Sequence, residues 1–344
     1  MKRGKKLTLL LAVLVVLLAV TCAVLKFAPE DTNAETEEPG VSVFTLDPEA
    51  VTELTWTYEG ETLTFVKTDG VWSYAGDSAF PPEESCLTSM LTALSDIVAG
   101  KTIEAPEDLS QYGLEQPACA VTVTTDTTAE LLIGDETSIG GERYLSIGDG
   151  NVYLVDGSIL DSFSYHLLDL VKKESIPSMN SVTSLAVDSE VQSYTLNCAE
   201  ADTEEDGEEK SSVWFWNGDN GLPLDTGLTE ALIKTVTSMS WGQCMDYNAA
   251  DSLSAYGLDA PTLTVTVNYM ETAQVETNET DEDGNAVYET RETEASFVLE
   301  IGDYSDGVCY ARIAGSHMVY QIDASISDAL LSTTYEDLVS ATEE

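Results

Sequence analysis

The sequence predicts an α+β ectodomain of two tandem homologous repeats, each an antiparallel β-meander with one main helix, behind an N-terminal transmembrane helix. Three observations carry that expectation. A six-residue phrase occurs twice, as Tyr112-Gly113-Leu114-Glu115-Gln116-Pro117 and as Tyr256-Gly257-Leu258-Asp259-Ala260-Pro261. Around each copy apolar residues alternate, and they recur at helical spacing in one main stretch per repeat. A basic start precedes a long uncharged run.

The phrase reads as a turn followed by a strand. Gly takes the positive φ of a tight turn, and the Pro three residues after Leu fixes φ and removes a donor, so the chain enters its next strand at an unpaired position. Cys119, Val121 and Val123 then alternate on one face, as do Leu263, Val265, Val267 and Tyr269.

The two phrases are offset by 144 residues, and the correspondence extends outward as an internal repeat requires. Ile133-Gly134-Asp135 returns as Ile301-Gly302-Asp303, Tyr144 as Tyr310, Val152-Tyr153 as Val319-Tyr320, and Asp169-Leu170-Val171 as Asp337-Leu338-Val339. Upstream, Val51-Thr52-Glu53-Leu54 answers to Val182-Thr183-Ser184-Leu185 and Trp72 to Trp214. The first repeat is expected over 48–173 and the second over 180–340.

In chain order, Met1 to Lys6 holds four basic residues and Leu7 to Leu25 is 19 residues without charge. That run suits a spanning helix of about 20 residues better than the apolar core of a cleaved signal, about 7 to 15. Residues 1–27 therefore read as a cytoplasmic basic flank and signal anchor, with the remainder outside the cell. Thr21 before Cys22 argues against a lipoprotein signal. Residues 28–47 read as a flexible linker, since Ala28 to Gly40 has five acidic residues and little to bury.

The first repeat opens with alternating Leu54, Trp56 and Tyr58, then Leu63 and Phe65, then Trp72 and Tyr74 after an Asp69-Gly70 turn. Pro81-Pro82-Glu83-Glu84 starts a helix, and Leu87, Met90, Leu91, Leu94, Ile97 and Val98 carry it to Gly100. Strands follow near Cys119 to Thr124, Glu130 to Ile133, Arg143 to Ile147 and Val152 to Val155, and a short helix near Ser158 to Leu168 closes the unit. In the second repeat Leu228, Leu232, Ile233, Val236 and Met239 form the matching helix. The offset between repeats grows by 11 and later by 24 residues, the lengths of the acidic runs 200–210 and 271–294. Both runs read as insertions in surface loops.

Five of the 14 basic residues lie in or beside the membrane segment, which leaves nine outside against all 62 acidic ones, a net of −53. Such a surface repels nucleic acid and anionic lipid. Asp281-Glu282-Asp283-Gly284-Asn285 is a poor calcium loop, with its Gly fourth instead of sixth and Glu292 at the twelfth place.

Chemistry-bearing residues are sparse. Cysteines stand at 22, 86, 119, 198, 244 and 309, none matched between repeats, and Cys119 reads as a buried small hydrophobe with one disulfide left open elsewhere. With His166 and His317 the only histidines, no zinc spacing, phosphate loop or serine elbow is present, and no cofactor is implied. Asp135 and Asp303, the same position in both repeats, are the leading acidic candidates, set against turn caps. Tyr144, Tyr310, Tyr153 and Tyr320 could form a sugar-stacking surface or belong to the core. No catalytic, cofactor or metal residue is assigned.

The Tyr-Gly-Leu-acid-x-Pro phrase, its strand, Ile-Gly-Asp and the later Val-Tyr resemble the domain-of-unknown-function 4340 family of bacterial membrane-anchored extracytoplasmic proteins. The resemblance spans nearly the whole ectodomain; the acidic insertions depart from it. It implies an α+β repeat domain without assigned catalytic residues, often encoded near components of an ABC transporter of the gliding-motility type. The expected function is a membrane-tethered binding or accessory protein in a membrane complex. A glycan- or divalent-cation-binding surface module is the alternative, and a carboxylate-dependent hydrolase a third.

Overall fold

The computed structural model describes residues 40–201, 211–280 and 286–339. The expected anchor lies outside these residues; among the described ones no helix is long and apolar enough to cross a membrane. The fold is richer in strand than the predicted α+β balance. Two antiparallel sheets dominate, with three α-helices among the described residues.

The elements from the first half are β1 (Val41–Thr45), β2 (Glu53–Tyr58), β3 (Glu61–Thr68), β4 (Val71–Tyr74), α1 (Glu84–Ala93), β5 (Asp96–Ile103), β6 (Cys119–Thr124), β7 (Thr128–Glu136), β8 (Glu142–Ser146) and β9 (Val152–Asp156). Those from the second half are β10 (Val182–Ser189), β11 (Ser193–Ala201), β12 (Ser211–Trp216), α2 (Thr226–Thr237), β13 (Cys244–Asp246), β14 (Leu263–Thr280), β15 (Ala286–Ser305), β16 (Val308–Ile313), β17 (Val319–Asp323) and α3 (Ala324–Ser332).

The sheets run β1-β5-β9-β8-β7-β6-β2-β3-β4 and β12-β11-β10-β14-β15-β16-β17-β13. Reversed, the second order matches the first strand for strand, with β1 as the extra edge. The duplication read from the sequence is therefore a duplication of topology. Packing nevertheless divides the chain into two compact units whose boundaries do not follow the repeats. One gathers the described residues 40–48 with Leu91–Ala120 and Ala129–Asp161; the other gathers Glu49–Met90, Val121–Thr128 and the described residues from Ser162 onward.

The alternating patterns become buried faces. Leu54, Trp56, Leu63 and Phe65 are sealed, as are Val121, Leu263, Val265 and Val267. Trp56 and Phe65 stack at 5.6 Å. Helix α2 starts on Asp225, whose side chain accepts from the Leu228 amide at 2.9 Å, and it buries Leu232, Ile233 and Val236.

Four expectations need correction. The first helix stops at Ala93, and Ile97 and Val98 belong to β5, where Ile97 and Ala99 are buried and Val98 exposed. Period two won over helical spacing because β-branched residues follow Ser95, whose hydroxyl donates to Thr92 O at 2.8 Å as the helix ends. The linker expected to Asp47 ends sooner, for Val41–Thr45 pairs with β5. The short helix near Ser158 to Leu168 is three separate 3-10 turns, Gly157–Ile159, Asp161–Phe163 and Leu167–Leu170, whereas its counterpart α3 is a true α-helix. Finally, the described residues of the run 271–294 continue the β14–β15 ladder as a two-stranded ribbon, paired regularly to Glu276↔Tyr288, where a surface-loop insertion was expected; residues 281–285 lie outside the described structure. The β-branched Thr272, Val275, Thr277, Val287, Thr290 and Thr293 suit an extended ribbon. Residues 202–210 lie outside the described structure.

Candidate functional site

The repeated phrase is a structural joint. A 3-10 turn, Ser110–Tyr112, ends on Gly113 at φ +69°, and its counterpart Leu253–Tyr256 ends on Gly257 at φ +67°. Each turn lies against the Ile-Gly-Asp of its own repeat. A β-carbon on Gly134 would overlap the Tyr112 carbonyl oxygen, and one on Gly302 the Tyr256 carbonyl oxygen. Conversely, a β-carbon on Gly113 would overlap the Asp135 carboxyl, and one on Gly257 the Asp303 carboxyl. Two glycines per repeat thus bring turn and strand into backbone contact. In the first repeat Arg143 Nη1 adds a hydrogen bond to Gly134 O at 3.0 Å.

Asp135 and Asp303 therefore sit over a glycine α-carbon, an arrangement the sequence could not show. The tyrosines are likewise engaged in packing. Tyr144 meets Tyr112 at 4.9 Å and Tyr310 meets Tyr256 at 5.2 Å. Tyr153 is buried and donates to Asp149 Oδ2 at 2.5 Å; that bond lowers the carboxyl's pKa and raises the phenol's.

Tyr320 is fully buried and stacks on Trp241 at 4.5 Å. Its hydroxyl accepts from the Glu174 amide at 2.9 Å, and Trp241 Nε1 donates to Glu174 O at 2.9 Å. Ser316 Oγ donates to the Glu174 carboxylate at 2.8 Å. The connector after the first repeat is thus fastened residue by residue to the second. Burial pushes the Tyr320 phenol well above its ordinary value. The repeated Asp-Leu-Val has one job in both halves. Asp169 accepts from the His166 amide and Asp337 from the Thr334 amide, while Leu170 O and Leu338 O accept from Glu83 N and Asp225 N beside the helix starts.

A concavity of about 700 Å³ with mixed lining lies in the second repeat, between α2 and the ends of β10, β11 and β12. Its lining includes Ile233 and Lys234 of α2, Cys198 of β11, Trp214 of β12, Met270 of β14 and Met179. It arises where the helix outruns the apolar face of the sheet: Leu185 and Leu196 are sealed, but Thr183 and Ser212 at the strand ends are exposed. Glu230 is the one carboxylate in this lining, so the pair of carboxylates that glycoside hydrolysis needs is not assembled there. The cleft offers apolar contact rimmed by one ammonium and one carboxylate, which suits binding. Its signal in the sequence was indirect, Trp214 through its match to Trp72 and Ile233 through helical spacing.

The remaining candidates are dispersed. Cys119, Cys244 and Cys309 are buried, Cys86 and Cys198 half-buried, and none of these five forms a disulfide. Burial pushes the Cys244 thiol up to about 11. His166 Nδ1 lies 2.7 Å from Glu61 Oε2 and its Nε2 3.5 Å from Glu59, raising its pKa, chiefly through the Glu61 bond. Among the described residues no group of three or more His, Cys, Asp or Glu could hold a metal ion. The weak calcium loop, Asp281 to Asn285, lies outside them.

The family model described as domain of unknown function (DUF4340) matches residues 72–212 and 214–342. Its two segments begin at the paired Trp72 and Trp214, consistent with the internal repeat. No curated protein matches this chain, and no solved structure does.

Proposed function

We propose, for a chain that belongs to the DUF4340 family, the role of a membrane-tethered extracytoplasmic protein that works by binding, as an accessory to a membrane complex. The observation that carries this reading is that the tyrosines repeated in the two halves are engaged in holding the fold, while the repeated Asp135 and Asp303 stand exposed against turn glycines. Asp135 and Asp303 face turn glycines, and Tyr144, Tyr310, Tyr153 and Tyr320 pack or hydrogen-bond inward. What remains for function is surface, including the cleft beside α2. Tethering rests on the basic start and the 19 uncharged residues of Leu7 to Leu25. ABC transporter components of the gliding-motility type are the proposed partners, on the family resemblance alone. The tyrosines do not favour the glycan reading, since they pack on neighbouring tyrosines, Trp241 or Asp149 in place of forming a platform.

Crosslinking the full-length protein in native membranes, followed by identification of captured proteins, tests the reading. Recovery of transporter subunits is the expected result. Recovery of no membrane protein, or protection of the ectodomain from protease added to cells without an outer barrier, overturns it.

A further inference from the structure

The β14–β15 ribbon leaves the sheet with open edges. β10 accompanies β14 only to Tyr269, with a last hydrogen bond from Met270 N to Ser181 O at 2.8 Å. Beyond it, the β14 ladder to β15 continues through Thr272↔Glu292, Gln274↔Thr290 and Glu276↔Tyr288, and among the described residues no other strand pairs with it there. Backbone direction alternates with period two, and the Met270 amide points to the β10 side, so those of Thr272 and Gln274 point to the same, now vacant, side. Such a row of unpaired donors and acceptors is a template for another strand.

Charge narrows what could pair there. Glu271, Glu289, Glu292 and Glu294 are exposed on the ribbon, and Arg291, bound to Glu289 at 2.8 Å, is the only basic residue between 271 and 294. A second copy of this acidic chain would be repelled; a cationic strand would be drawn in. We propose that the β14 edge from Thr272 to Glu276 docks an extended, basic segment of a partner protein by strand addition. β14 is preferred to β15 because Arg291 lies on β15, and because Met270 also lines the cleft, which gives the docked strand an apolar end next to Met179 and Ile233. The inference deepens the proposed binding role and depends on it only for the partner's location.

The test uses full-length protein in neutral-lipid nanodiscs and a labelled octapeptide alternating Lys and Thr, followed by fluorescence anisotropy. Binding is expected, weakening at least tenfold in Thr272→Pro with Gln274→Pro. Proline is tolerated where an edge amide faces solvent, so thermal unfolding should not change. Thr290→Pro, on the opposite edge, should bind as wild type. A peptide N-methylated at alternate amides should also bind at least tenfold more weakly, and this arm needs no protein variant. No binding by wild type overturns the proposal, as does equal binding of the methylated peptide, which would reduce the attraction to net charge. Loss with Thr290→Pro but not with the β14 prolines overturns the assigned edge. Failure of the peptide alongside successful partner capture from membranes would sink this edge alone and leave the accessory role standing.

Discussion

Asp135 lies over the α-carbon of Gly113, with its backbone nitrogen 2.8 Å from where a β-carbon would stand, and Asp303 repeats this over Gly257 at 2.9 Å. The residue after the strand glycine thus closes the turn of its own repeat. Gly113→Ala should cost about 1 kcal/mol for the left-handed conformation. Overlap with the carboxyl adds about 1–3 kcal/mol. The second part should shrink in an Asp135→Ala background, so a double-mutant cycle by urea unfolding should show coupling. Strict additivity would mean the contact carries no strain. The same cycle at Gly257 and Asp303 should behave alike.

Tyr247 donates to Asp77 Oδ2 at 2.8 Å while its ring meets Phe80 edge-on at 5.1 Å. The Ala79 amide and the Tyr247 hydroxyl hold the Asp77 carboxyl below its ordinary value, and burial with the Asp77 bond pushes Tyr247 up to about 12. A depressed carboxyl contributes stability that is present above its unfolded pKa and lost as pH falls through the folded one; a raised phenol contributes stability that is present below 10.0 and lost as pH rises through about 12. Tyr247→Phe keeps the ring and removes the phenol's contribution together with the share of Asp77's that the Tyr247 hydroxyl supplies, leaving the larger share from the Ala79 amide. Its stability deficit, from urea midpoints, should be flat between about pH 5 and pH 9 and narrow on either side. A deficit independent of pH would assign the effect to packing.

His166 should titrate above 6.5, with the raised value falling back in Glu61→Gln. Because its folded pKa is the higher one, the pair's contribution is present below 6.5 and fades as pH rises through the folded value. Proton NMR of the imidazole checks this directly, the only other histidine being His317. An unshifted titration would mean the Glu61 contact does not persist in solution.

Excising Thr272 to Thr293 and closing the hairpin with Asn-Gly should leave cooperative unfolding intact. The ribbon buries almost nothing, and loop length changes closure entropy by only about 0.6 kcal/mol per doubling. Loss of a single thermal transition would show that the ribbon supports the sheet.

Much of this architecture was legible because the repeat supplied a second reading of each ambiguous element. Alternation at Leu54, Trp56 and Tyr58 had a partner in β10, and the Tyr112 phrase had one at Tyr256. Legibility failed where local signals conflicted or no local signal existed. Ile97 and Val98 fit a helical stripe as well as a strand, and only tertiary pairing with β1 decides between them. The β14–β15 extension reads as low-complexity loop because its exposed faces erase the apolar alternation that marks a strand. The cleft by α2 was invisible for another reason: it joins Met179, Cys198, Trp214 and Ile233, whose proximity is a property of sheet order, not of spacing.

The edge position of β1 has a mechanical side. It is five residues long, pairs with β5 alone through Val41↔Ala99 to Thr45↔Asp96, and follows the segment that leads from the proposed anchor. Whereas tension along the strands would load the β1–β5 hydrogen bonds together, tension applied at the N-terminus across the strands would reach Val41 first and break those bonds in succession. Peeling of that kind yields at low force, so β1 would act as a fuse. It would lengthen the leash by a few residues while the interior strands keep their register.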